Sequence, residues 1–147
     1  MGNDSDAREA EQVLLAIDPG TAKCGLAVVS EAGTRLHLEV APTANLGDRI
    51  RELHEQYPVG RVLLGDRTGS AAVREILAQA LPRVPVTAVC EHLSTLRARE
   101  LYFADHPPRG LMRLLPKGLR VPPVPHDEYV ALVLALDFLG QGTGVRR

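Results

Sequence analysis

Tryptophan is absent from these 147 residues, and the aromatic complement is three tyrosines and two phenylalanines. A protein that grips single strands by stacking bases on rings needs more than that. Two cysteines, Cys24 and Cys90, are too few for a disulfide framework or a zinc site, and both are expected to be reduced core thiols. No apolar run approaches the ~20 residues that span a bilayer, which excludes a membrane-spanning protein. The stretch before the first apolar run is acidic and lacks the basic and apolar regions of a secretion signal, so a cytoplasmic chain is expected. Net charge is also missing: it is −1 at pH 7, which argues against coating nucleic acid through global charge. Lysine is scarce, with 2 against 15 arginines. Guanidinium forks suit phosphate oxygens better than ammonium groups do, although genomic codon bias produces the same excess.

What is present fits one domain with a real core: 45% hydrophobic and 24% charged residues. Residues 1–12 read as a flexible acidic tail, 13–140 as a single domain and 141–147 as a second flexible tail. Charge is uneven along the chain. Between positions 97 and 120 stand Arg97, Arg99, Arg109, Arg113, Lys117 and Arg120 against only Glu100 and Asp105. A polyanion would meet that region first.

Apolar runs bounded by turn residues predict strands over 13–18, 25–30, 35–40, 61–65 and 86–90. Helical spacing predicts helices from Leu46 with Asn45 as cap, over about 71–81, from Ser94 or Thr95 toward Phe103, and from Asp127 to Gly140. Residues 107–125 hold six prolines and two glycines and read as irregular. The order β-β-β-α-β-α-β-α-α is an antiparallel meander followed by parallel units. Right-handed crossovers then put the fourth and fifth strands beyond the first, with their carboxyl ends at one edge, where ligands bind in such sheets.

Acids gather at that edge. Asp18 ends the first strand, Asp66 follows the fourth, Glu91 follows the fifth, and Asp127 with Glu128 opens the last helix. One acid after a strand is an ordinary turn residue, and Asp127 suits a helix N-terminus on its own. Several at the ends of neighbouring strands repel one another and raise one another's pKa. Divalent cations remove that conflict and prefer carboxylate oxygen. The ions expected are Mg²⁺ or Mn²⁺, two of them, an arrangement suited to in-line phosphoryl displacement. Pro19-Gly20-Thr21 serves the same place: Gly20 permits a tight turn, and its amides with the Thr21 hydroxyl suit a phosphate oxygen. Gly25 is expected to leave room above the site. Lys23, and Ser94 and Thr95 where they do not act as helix caps, stand where a substrate phosphate would pass.

Asp18-Pro19-Gly20-Thr21 with Gly25, Glu91 before "LST", and Asp127 before "YVALVLAL" resembles the YqgF/RuvC-type resolvase family of RNase H-like proteins, over about residues 13–140. "HPPRGLMRLLPKGLRVPPVPHDEY" is also similar to a variant YqgF-like branch with a Pro/Arg-rich segment before the last acid. The resemblance implies an α/β fold with a central mixed five-stranded sheet of order 3-2-1-4-5 flanked by helices. It also implies metal-dependent cleavage of structured nucleic acid, by Holliday-junction resolution or maturation of ribosomal RNA precursors. By position, Asp18, Glu91 and Asp127 match the family's acidic triad of catalytic metal ligands. Two departures stand out: "GDRTGS" replaces the usual "GLP" after the fourth strand, bringing Asp66 near the site, and "HDE" offers Glu128 beside Asp127. Adjacent helix positions point ~100° apart, so the two are not equivalent ligands; His126 is either an outer partner of the site or a surface loop residue.

The leading expectation is a two-metal nuclease on RNA or branched DNA, monomeric or homodimeric, with Arg97, Arg99, Arg109, Arg113 and Lys117 on the backbone. The YqgF-like motifs favour RNA processing; the alternatives are a junction resolvase, which needs a C2 dimer, and an inactive nucleic-acid-binding or partner module. An actin-like ATPase or sugar kinase shares the Asp-x-Gly-Thr turn but needs a second lobe that this chain lacks.

Overall fold

The computed structural model describes residues 12–90, 94–116, 119–120, 122 and 127–140. Strands β1 (Val13–Asp18), β2 (Lys23–Ser30) and β3 (Arg35–Pro42) form the meander. Helix α1 (Leu46–Gln56), strand β4 (Val59–Gly65), helix α2 (Ser70–Ala80), strand β5 (Val86–Val89), and helices α3 (Ser94–Asp105) and α4 (Asp127–Phe138) follow. The sheet order is β3-β2-β1-β4-β5, as expected, with β1 parallel to β4, β4 parallel to β5 and the other pairs antiparallel.

Side-chain alternation along β1 divides the core into two layers. Leu15 and Ile17 join Leu26, Val28 and Leu64 against Ile50 and Leu53 of α1 and Leu77 of α2. Leu14 and Ala16 face the other way, with Ala27, Val29 and Leu63, against α3 and α4. Small residues on that face let α4 lie close to the sheet. Tyr129 through Ala135 are all buried, which needs cover on every side of the helix; the sheet lies on one side and α3 on the other. The apolar last helix is thus spent inside this chain's own core.

Several expectations shift. β2 begins two residues earlier than expected and β3 runs two further, because Lys23 pairs with Pro42 and Cys24 with Ala41 in the ladder. Asn45 does precede α1, but its side chain makes no capping hydrogen bond; a 3₁₀ turn over Thr43–Asn45 leads into the helix instead. Cys24 is a buried thiol, whereas Cys90, expected in the core, is exposed just past the short edge strand β5. A second 3₁₀ turn, Gly110–Leu114, interrupts the proline-rich stretch. No helix among the described residues is long and apolar enough to cross a membrane.

Candidate active site

β1 delivers Asp18 to the carboxyl edge of the sheet on the face of Leu14 and Ala16, toward α4. It is 6% exposed, the one charged residue in the buried class among the described residues. Its partner across the ladder is Gly25. The backbone of α4's first turn passes directly over that glycine. A Cβ there would lie 2.7 Å from the Glu128 amide nitrogen and closer still to the Asp127 carbonyl. The open room expected above Gly25 is therefore filled, and what fills it is the helix start that carries Asp127. Two acids more than a hundred positions apart in sequence are thereby brought to either side of one glycine.

Glu128 is half-buried, and its Oε1 is shielded from solvent without a hydrogen-bond partner among the described residues. Burial pushes its carboxyl above the ordinary range, and the Asp127 charge adds to the rise. Carboxylates of one sign crowded into a half-dry corner fit a cation there. Among the described residues no group of three His, Cys, Asp or Glu is complete as a metal site. Glu91, the third acid expected, lies outside the described residues, as do His126 and Lys117. Asp66 stands at the same edge, one residue past β4, and is exposed.

The Pro19-Gly20-Thr21 turn is held from an unexpected side. Thr43 Oγ1 donates to the Gly20 carbonyl at 2.9 Å, and the Thr43 amide donates to the Ala22 carbonyl at 2.9 Å. The Cys24 Sγ lies 3.4 Å from that same hydroxyl. A side chain on Gly20 would collide with the Lys23 carbonyl, so the turn tolerates only glycine in this shape. Thr43 escaped notice in the sequence because a threonine after a proline reads as a helix lead-in. Thr21 and Lys23 are exposed beside the turn, with Lys23 two positions from Gly25 and on the same face.

A second brace fixes α4's first turn. Tyr129 Oη donates to Asp105 Oδ2 at 2.8 Å, and Arg35 Nη1 donates to the same oxygen at 2.6 Å. The Arg35 guanidinium also lies 5.9 Å from the Tyr129 ring centroid, within cation–π range. Arg35's hydrogen bonds hold the Asp105 carboxyl below its ordinary range, while burial and then Asp105 push the Tyr129 phenol up to about 12. β3, the end of α3 and the start of α4 thus meet at one carboxylate. Tyr129→Phe is expected to cost about 1–2 kcal/mol, read as a lower urea midpoint. The sign of the pH effect follows from the depressed Asp105 value. Its contribution is fully present above the unfolded pKa near 4 and is lost as pH falls through the lower folded value. The stability gap between the native chain and Asp105→Asn should be constant from pH 7 to pH 5 and narrow below about pH 4, as urea melts at each pH would show.

The basic residues divide. Arg97, expected on a phosphate backbone, forks onto both carboxylate oxygens of Asp137, tying α3 to α4. Arg99 is half-buried, its Nε shielded and without a hydrogen-bond partner among the described residues. Arg109 and Arg113 are exposed. Ser94 and Thr95 form the first turn of α3, and their side chains lie outside the described set.

No family model matches the chain, and no curated protein matches its sequence. Solved structures do match. Thermus thermophilus RuvC superposes with a TM-score of 0.56 at 22% identity, over 91% of this chain and 98% of that one. The same organism's RuvC in complex with a Holliday junction substrate gives 0.51 at 23% identity, over 85% and 90%. The fold is that of RuvC. The match runs nearly end to end in both chains, so the RuvC fold accounts for the whole sheet and its flanking helices. In this chain's own sheet β1 is the central strand, and Asp18 ends it at the edge where β4 and β5 also end.

Proposed function

We propose that this chain is a divalent-metal-dependent nuclease that hydrolyses phosphodiester bonds in nucleic acid. The observation that carries the reading is the burial of Asp18 across the ladder from Gly25, the glycine over which the backbone of Asp127 and the first turn of α4 pass. Asp18, Asp127 and Glu91 would hold the ions, with Glu128 or Asp66 as a further donor. Two bound Mg²⁺ or Mn²⁺ ions would supply Lewis acidity and a water of lowered pKa for in-line displacement. Asp18 would be the central ligand of that set, since it ends the middle strand of the sheet. The backbone amides of the Gly20 turn and the Lys23 ammonium orient a phosphate oxygen above the acids. Arg109 and Arg113 take the flanking backbone, and Arg97 serves to hold α4 in place.

The substrate proposed is RNA, as a processing nuclease of the YqgF-like type. The Pro/Arg-rich segment before Asp127 supports this. So does α4, whose residues Tyr129 to Ala135 are all buried within one copy, leaving a single site able to act alone. The RuvC fold supports a second reading, cleavage of a four-way DNA junction by a C2 dimer. Incubation of matched single-stranded RNA, single-stranded DNA and a four-way junction with Mg²⁺ or Mn²⁺ decides between them. RNA cut with the junction intact establishes the processing nuclease. Paired symmetric nicks in the junction reverse the assignment and predict a dimer. No cutting by folded, metal-loaded protein overturns the nuclease and leaves a binding module.

A further inference from the structure

We infer that the 3₁₀ turn Gly110–Leu114 is an apolar wedge that enters a break in the base stacking of the nucleic-acid substrate. Leu111 and Leu114 lie against exposed base faces, and Arg109 and Arg113 take the flanking phosphates. This rests on the nuclease reading above and adds to it how the substrate's shape is recognised.

The leucines carry the argument. Most leucines of the sheet and helices are buried, yet Leu111 is 83% and Leu114 80% exposed. Residues three apart eclipse on a 3₁₀ turn, so the two form one ridge. The ridge is pre-formed: the Met112 amide donates to the Arg109 carbonyl at 3.3 Å and the Leu115 amide to the Met112 carbonyl at 3.2 Å. Arg120 braces it from outside the turn, donating from Nε to the Leu115 carbonyl and from Nη2 to the Arg113 carbonyl, each at 3.1 Å. A rigid, solvent-facing apolar ridge is costly to keep unless something covers it.

Charge says what covers it. From His106 to His126 the sequence contains no aspartate or glutamate, so the ridge is set in a segment of purely positive sign. Exposed Arg109 and Arg113 flank it directly. A polyanion with apolar faces between its charges is the complement, and that is nucleic acid with a base stack interrupted. Position agrees. The segment leaves α3 at Asp105, which is hydrogen-bonded to Tyr129 of α4, and rejoins the fold at Asp127. Its C-terminal end joins α4 at Asp127, whose backbone passes over Gly25 opposite Asp18, so the segment that carries the ridge is tethered to the acid edge at that end. Apolar side chains inserted at a base step unstack it, most readily where stacking is already broken. With so few aromatic rings in the chain, leucine takes the place of a stacking platform.

The test uses the full chain in Ca²⁺, with 2-aminopurine at the branch point of a four-way DNA junction and at the stem–loop boundary of an RNA hairpin. The native protein should raise aminopurine fluorescence on one of them. Leu111→Ala/Leu114→Ala should abolish that rise and lower the preference for branched over linear duplex by about tenfold, with an unchanged salt slope. Arg109→Gln/Arg113→Gln should reduce the magnitude of the log–log salt slope by about 2. An aminopurine signal indifferent to the leucines overturns the wedge. So does conversion of a dimer to a monomer, or loss of binding to anionic vesicles, in the leucine variant with its aminopurine response intact. Cleavage is followed in parallel with Mg²⁺: if the native chain cuts and the leucines do not matter, only the wedge falls, whereas a chain that neither binds nor cuts removes the nuclease reading too.

Discussion

Asp18→Asn is expected to lower metal-dependent cleavage by about three orders of magnitude or more while leaving the fold intact. One pre-organised electrostatic group at a reacting centre is worth about 10²–10³ in rate, and loss of a metal-ligating carboxylate would remove more than one such group. The substitution is isosteric, and Asp18 is 6% exposed, so the amide occupies the same space. In chelator the variant should melt close to the native temperature, because the amide fills the space of the carboxylate it replaces.

Adding Mg²⁺ or Mn²⁺ separates the two proteins. A ligand at a hundredfold its Kd stabilises the native state by about 2.7 kcal/mol, on the order of 8 °C for a domain of this size. The native chain should show that rise and Asp18→Asn should not. Thermal melts with and without metal, together with single-turnover cleavage, read both effects. Cleavage within tenfold of the native rate would remove Asp18 from the site and the proposed chemistry with it.

The acids were legible in the sequence because each interrupts a pattern. Asp18 ends a wholly apolar strand, and Asp127 opens a strongly apolar helix, so both declare themselves as charged groups at the rim of a buried element. The sheet order followed from strand sequence and crossover handedness. What stayed hidden was lateral. Nothing in "KCGLAVVS" says that Gly25 lies under the backbone of Asp127, because the two are joined only through the tertiary packing of α4. Arg97 read as one member of a basic run, and only the antiparallel packing of α3 on α4 brings it to Asp137. Cys90 looked like the end of a buried strand, but β5 is a four-residue edge strand with half-buried residues. Thr43 was masked by Pro42, since its partner is a turn twenty-three positions earlier. Local pattern reports which face of an element is dry; it does not report which backbone will arrive there.

Gly25→Val should therefore be far more damaging than any surface change near the site. The new Cβ would stand 2.7 Å from the Glu128 nitrogen and nearer to the Asp127 carbonyl. Both are backbone atoms of a helix whose next seven residues, Tyr129 to Ala135, are packed into the core. No rotamer change relieves such a contact; either α4 lifts or β2 leaves the ladder opposite Asp18. Overpacking in a close-packed core costs about 1–3 kcal/mol where side chains can adjust, and here they cannot, so a loss above ~3 kcal/mol is expected. For a domain this size that is a fall on the order of 10 °C. The companion measurement is Gly47→Ala in α1, where the added methyl meets only side chains at ordinary contact distance, Ile76 at 3.5 Å and Arg51 at 3.9 Å. There the gain in helix propensity should leave stability unchanged or raise it by about 0.5–1 kcal/mol. Cleavage separates them further: Gly47→Ala should cut at the native rate, and Gly25→Val, assayed below its own melting temperature, should lose activity through displacement of Asp127. A Gly25→Val protein that melts with the native chain and still cuts would mean that α4 does not begin over Gly25, and the geometry assigned to Asp18 and Asp127 would have to be abandoned.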